Sequence, residues 1–436
     1  MVFKPVNKLA ASMATVLLWG SLHVVLAQQK EKKVKDQGEY DIFTAAVKEA
    51  DPNKKIQLLL QWKEKYPDSD YKLDRQQLIA TTYFQGVRDA DKAWAASQEL
   101  VGMDPKNFAG LFFLTSLVMS SGKTDPERLD GGEKAARSLL ANLDEVFAPS
   151  KKPAQATDEQ WKKERLGPET LAIKTIGWIQ MTRKEFDKGE ETFTQFLKIE
   201  PNDGQVSYWL ATVMLQQKKR EKQIPALWHL ARAAHYGGAN ALPEQARKQL
   251  QAFLEKTYVN YHGGKDGLPE MIAGALKDPF PPADLKIESA QERAIREEEE
   301  LKAKDPQKAM WLGVKKTLLT PEGAEYFNGT LKGSALPKFK GKITSSTPPA
   351  RPKELVVSIT GDQDEIKLRL DAAHTTKIEP GTEVEFEGGV AAEFTSDPFM
   401  LVVDQEKAKI TGLPAPPPPA RGAAKGGVKK GAGKKK

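Results

Sequence analysis

Proline recurs at one point of a helical unit along this chain. Pro67 closes Lys65-Tyr-Pro-Asp-Ser, Pro105 closes Met103-Asp-Pro-Lys-Asn and Pro201 closes Ile199-Glu-Pro-Asn-Asp. Each follows an apolar helical stretch and opens another, so the pattern predicts an array of stacked helical hairpins. Such arrays offer binding surfaces and seldom catalyse. The recurrence therefore bounds the architecture far more tightly than it bounds the partner.

Between the prolines the apolar residues repeat three and four apart, the period of a helix with one buried face. Tyr40, Phe43 and Val47 mark a first helix, and Asp51-Pro52 opens its partner, expected to bury Ile56, Leu59 and Leu60. Leu78, Ile79 and Tyr83 pair with Ala93, Trp94 and Leu100, and Leu111, Leu114 and Val118 pair with Ala135 and Leu139. Residues 149–167 break the pattern as a polar insertion. Repeats are thus expected over 38–240, followed by capping helices over 241–335 at 243–260, 266–277, 286–304 and 306–319. A solenoid needs such a region to cover its last apolar face. The acidic run Glu297 to Glu300 on the third of these reads as a solvated helix face.

The unit from Thr170 to Gly204 resembles the tetratricopeptide (TPR) repeat, a 34-residue helical hairpin. Aligned on Pro201, Ile173 and Ile176 take the large apolar positions, and Gly177 and Gly189 take the small positions where two helices cross. Phe193 takes the aromatic one. Small residues there let helix backbones approach while the large ones interlock around them. The resemblance implies a groove lined by the first helix of each hairpin, with Lys174, Trp178, Tyr208 and Thr212 facing a partner protein. For Trp178 and Tyr208 the alternative is packing between hairpins. Trp178 stands where TPR clamps for chaperone C-termini place asparagine, so that role is not implied.

From Pro337 the period changes to that of strands. Phe339–Ile343, Leu355–Ile359, Ile366–Leu370, Thr382–Phe386 and Phe399–Val403 are separated by Gly and Pro turns. Five or six short strands within 336–412 predict a small closed barrel or sandwich. Phe339-Lys-Gly-Lys-Ile and Pro380-Gly-Thr-Glu-Val-Glu-Phe-Glu-Gly resemble an OB-type barrel. The stretches beginning at Tyr261, Asp305 and Pro352 make most of the chain beyond the expected signal similar to exported bacterial proteins that join TPR hairpins to a C-terminal β domain. The expected fold class is therefore mainly α: a TPR-like α-α superhelix, capping helices, a small β-barrel and a disordered basic tail.

The ends carry separate signals. Lys4 and Lys8 precede an apolar run from Leu9 to Ala27 that exits through Val25-Leu26-Ala27, which reads as a secretory signal over 1–27 and a linker over 28–37. An uncleaved membrane anchor is the alternative. The absence of cysteine removes disulfides, thiolate metal sites and cysteine nucleophiles. The net charge of +7 resides wholly in the tail over 413–436. There, after Pro416 to Pro419, stand Arg421, Lys425, Lys429, Lys430, Lys434, Lys435 and Lys436, with no acid.

Catalytic signatures do not emerge. His229 and His235 are six apart, on opposite helix faces, where a metal pair needs three or four. No phosphate-binding loop or nucleophile elbow occurs. His262 precedes Gly263-Gly264, a helix stop. The sequence thus implies a protein-binding scaffold in the cell envelope without catalysis, cofactor or metal. A second reading gives the β domain and tail an anionic envelope polymer, lipid or nucleic acid. Two features argue against nucleic acid: the predicted export, and strands whose aromatics Phe386 and Phe399 read as core. A third reading, an enzyme around His262, expects a ligand pocket there.

Overall fold

The computed structural model describes residues 32–361 and 363–415. The expected signal segment and the basic tail residues Arg421 to Lys436 lie outside the described residues, as does the start of the linker. The chain divides into two compact units at Ser289/Ala290.

The first unit is mainly twelve helices: α1 (Gln37–Lys48), α2 (Pro52–Lys65), α3 (Lys72–Thr81), α4 (Ala90–Met103), α5 (Phe108–Ser120), α6 (Pro126–Val146), α7 (Asp158–Thr182), α8 (Phe186–Ile199), α9 (Gly204–Gln216), α10 (Gln223–His235), α11 (Glu244–His262) and α12 (Leu268–Lys277). Each of α1 to α10 packs against the next, α12 packs on α10, and α3, α5, α7 and α9 also touch in succession. That is a TPR-like solenoid. Short acidic or amide caps start the helices: Asp51, Asp89, Asn107, Asp125 and Asp203 each accept a first-turn backbone N–H.

Helix α5 is apolar all round, and every residue from Gly110 to Met119 except Phe112 is buried. A helix of that composition belongs in a core. Its Thr115 and Ser116 hydroxyls return to the Leu111 and Phe112 carbonyls. Gly177 and Gly189 lie at the α7–α8 crossing as the repeat register demands. A Cβ on Gly177 would fall 2.5 Å from the Phe193 ring, and one on Gly189 would stand 3.9 Å from the Gly177 carbonyl.

Three expectations differ from the structure. Tyr40, Val47 and Leu60 are exposed, while Ala46, Ile56 and Leu59 take the buried positions of the first hairpin. The polar insertion is helical from Asp158: Thr157 and Gln160 form a reciprocal capping box, and the Trp161 indole donates to the Phe147 carbonyl at 3.0 Å. The capping region is not one element, since α11 and α12 close the first unit while the next two helices belong to the second.

The second unit holds α13 (Ala290–Lys304), α14 (Pro306–Leu318), α15 (Gly323–Tyr326) and seven strands: β1 (Phe339–Thr347), β2 (Glu354–Ser358), β3 (Ile366–Leu370), β4 (Glu383–Phe386), β5 (Val390–Ser396), β6 (Phe399–Gln405) and β7 (Ile410–Thr411). They form one sheet in the order β5-β6-β3-β2-β1-β4-β7, antiparallel except for β3 with β6. All seven strands thus belong to one continuous series of ladders. β4 and β5 stand far apart in that order yet are joined by residues 387–389 alone, so the series of ladders curls back on itself. Gly389 permits the join, because a Cβ there would meet the Gln405 and Val403 side chains at 2.3 and 2.5 Å.

One carboxylate ties α14 to the sheet. Glu365 is fully buried; its Oε1 accepts from the Trp311 indole (3.1 Å) and the Lys315 ammonium (2.7 Å). Its Oε2 accepts from the backbone N–H of Ile359 and Thr360, both at 2.7 Å. Trp311 is itself in the β core.

Candidate functional site

The four groove residues occupy α7 and α9. Lys174 pairs with Asp203 at 2.7 Å, beneath the rings of Trp209 and Phe196. Asp203 meanwhile caps α9. Lys174 is therefore a joint between hairpins. Trp178 is 8% exposed and lies in the core cluster with Leu117 and Val118. The Thr212 hydroxyl donates to the Tyr208 carbonyl at 2.8 Å. Tyr208 is half-buried, and burial pushes its phenol above the usual range despite the nearby Thr212 hydroxyl.

A 34-residue step relates Lys174 to Tyr208, and the same step relates Leu78 to Phe112 on α3 and α5. All four are half-buried. This row at one position of successive hairpins keeps partial access to solvent. Four residues further along, Thr82, Ser116 and Trp178 are buried, and Thr212 alone is half-buried. Sequence reasoning found two of the row's four members; Leu78 stands 27 residues before Pro105 as Lys174 stands 27 before Pro201, so aligning those prolines would have supplied Leu78 and, one 34-residue step on, Phe112.

Arg232 was missed altogether. Buried on α10, it donates to the Ala275 carbonyl (2.6 Å), the Pro201 carbonyl (2.9 Å) and the Asn202 side chain (2.8 Å). It thereby holds the Pro201 turn to the end of α12. His229, on the same helix, is buried and pushed down to about 3 by desolvation and by Arg232, so it is neutral.

A cavity of about 490 Å³ closes the first unit, lined by Trp228, Tyr258, Met271, Leu285 and Ile287 with His262 at its edge. His262 Nδ1 meets the Glu288 carbonyl at 2.6 Å and Nε2 meets Asp266 Oδ2 at 2.8 Å. Both ring nitrogens are occupied by the protein, the opposite of a poised general base. Gly263 and Gly267 take positive φ of 87° and 77°, which turns the chain from α11 into α12 as the helix-stop reading expects.

In the second unit a cleft of about 690 Å³ is lined by Lys353, Glu354, Arg369, Asp371, Asp404 and Glu406, among others. Its central Arg369 is spent on Asp404 and Glu393, each at 2.8 Å. Lys338–Glu385 and Lys340–Glu383 lace the β1–β4 face in the same way. Phe386 is core, and Phe399 packs beside Trp311. Among the described residues there is no cluster of His, Cys, Asp or Glu suited to a metal and no helix long and apolar enough to cross a membrane.

No family model and no curated protein matches this chain. Solved structures similar to it include a MamA double mutant (10% identity, TM-score 0.32, spanning 49% of this chain and 95% of that one). A thermophilic TPR protein of Thermus thermophilus matches at 15% identity and TM-score 0.25, over 51% and 99% of the two chains. A tetratricopeptide repeat protein from Parabacteroides merdae matches at 14% identity and TM-score 0.29, over 56% and 98%.

Proposed function

We propose that this chain is a non-enzymatic scaffold that binds another protein along its helical repeats, working in the bacterial cell envelope. The observation that carries the reading is the half-buried row Leu78, Phe112, Lys174 and Tyr208, one residue per hairpin at a constant place. Partly exposed aromatic and aliphatic side chains on a rigid frame, here Leu78, Phe112 and Tyr208, anchor a partner at little entropic cost, while Lys174 stays paired with Asp203. The leader-like segment ending at Ala27 supports the envelope location. The β unit reads as an OB-like barrel, supported by its curled single sheet with β1 between β2 and β4 and with β3 parallel to β6. Its ion-paired strand faces favour a structural role over nucleic-acid binding.

The test is capture from the envelope fraction by wild-type, Phe112→Ala and Tyr208→Ala proteins, at low and high salt, each with and without residues 413–436. A discrete protein held at high salt is expected. Each substitution should weaken it roughly thirtyfold, as loss of an interface anchor worth about 2 kcal/mol does. Binding that needs 413–436 and disappears with salt would replace this reading with the second one, capture of an anionic envelope polymer or lipid by the basic tail.

A further inference from the structure

We infer that His262 is a proton-dependent latch on the segment 279–289, which closes the apolar end of the helical unit. The argument starts from the two partners of the ring. The Glu288 main-chain oxygen can only accept a hydrogen bond, and the ionised Asp266 carboxylate can only accept one as well. A neutral imidazole has one N–H and satisfies one of them, turning a lone pair towards the other. The imidazolium satisfies both. At 8% exposed, the ring has little water to make good a lost partner.

The latch acts on a specific piece of chain. Beyond α12, residues 279–289 run without helix or strand, and Leu285 and Ile287 from this strap pack on the cluster of Trp228, Tyr258 and Met271. Glu288 follows directly, so the bond from Nδ1 fixes the strap where it covers the cavity. Other charged or titratable groups around the ring are Tyr258 on its own helix, Glu270 on α12, and the Lys286 and Glu288 side chains of the strap. Lys265, in the same turn as Asp266, is ion-paired with Glu255. Protonation therefore holds the strap down. As pH rises through the titration of the ring one of the two contacts is lost; where the remaining proton sits on Nε2 it is the Glu288 contact, and the strap is released from the apolar end of the stack.

Hydrogen exchange of the strap in the full chain tests this, with protection corrected for intrinsic exchange and followed across about pH 5 to 8, where imidazole titrates. Wild-type protection of 279–289 should fall about tenfold towards high pH, the worth of one charge-assisted hydrogen bond, while α1 to α10 stay unchanged. His262→Gln should abolish the pH dependence. Asp266→Asn should also flatten it, because a carboxamide can offer either a donor or an acceptor to Nε2. Strap protection that is flat in the wild type, or equally pH-dependent in His262→Gln, would overturn the latch. A pH-dependent loss shared by α1 to α10 would overturn it too, as the mark of global unfolding.

Discussion

Replacing Glu365 by alanine is expected to destabilise the β unit by about 3–5 kcal/mol, the cost of leaving a buried charge without its partner. Four donors converge on this carboxylate, and alanine strands all of them: the Lys315 ammonium, the Trp311 indole and the N–H groups of Ile359 and Thr360. Exchange of β1 to β6 and denaturant unfolding of the full chain give the measurement, with α1 to α12 as the internal control. Burial alone would raise the Glu365 pKa. The bonds from Lys315, the Thr360 N–H, Trp311 and the Ile359 N–H outweigh it and hold the carboxyl below the ordinary glutamate value of 4.5. A depressed folded-state pKa means that the stabilisation is present above that value and is lost as pH falls through the folded one. Glu365→Gln should therefore flatten the acid limb of β-unit stability. An unchanged acid limb, or an alanine variant as stable as wild type, would show that α14 is docked by its apolar contacts alone.

What could be read from the sequence follows from how local each signal is. Helix periodicity and the cap before Pro52 act within a turn or two. The helices given bounds in the sequence, α2 and α11 to α14, accordingly start and stop within four residues of where the pattern places them. Crossing glycines were legible because Gly177, Gly189 and Phe193 fall in one hairpin. Glu365 was not legible, since its partners Trp311 and Lys315 lie 54 and 50 residues away and nothing in Asp364-Glu365-Ile366 distinguishes it from a surface acid. Arg232 escaped for the same reason: a charged residue in an apolar helix looks like a solvent-facing one until Pro201 and Ala275 are brought to it. Strand β5 was missed because Val390-Ala-Ala-Glu-Phe alternates poorly, with mainly Ala391 turned into the core. Trp178 carried two readings in the sequence, groove and hairpin packing, because aromatic size suits both an anchor and a hairpin interface. The burial of the neighbouring α5 decides between them. His262 and Asp266 were visible at a spacing of four, but the acceptor that completes the arrangement is the main chain of Glu288, which carries no sequence signal.

The two glycines of the α7–α8 crossing should answer substitution in opposite ways. Glycine within a helix is unfavourable by about 1 kcal/mol relative to alanine, so its presence mid-helix requires a spatial reason. At Gly177 the reason is the Phe193 ring, whose Cε1 and Cδ1 would lie 2.5 and 2.7 Å from an added Cβ. Phe193 is fully buried among Phe196, Leu197, Val206 and Leu210 and cannot swing away without displacing α9. Gly177→Ala is expected to lose about 1–3 kcal/mol, as overpacking a dense core does, and Gly177→Val more. At Gly189 an added Cβ meets only Val213 Cγ1, at 3.4 Å, and its other neighbours stand at 3.7 Å or beyond. Gly189→Ala should therefore be neutral or gain up to about 1 kcal/mol from helix propensity. Thermal and denaturant unfolding of the full chain, with exchange across α7 to α10, would register both effects. Equal tolerance at the two positions would mean that the helices do not interlock around Phe193, and the hairpin that sets the register of the repeats would lose its physical basis.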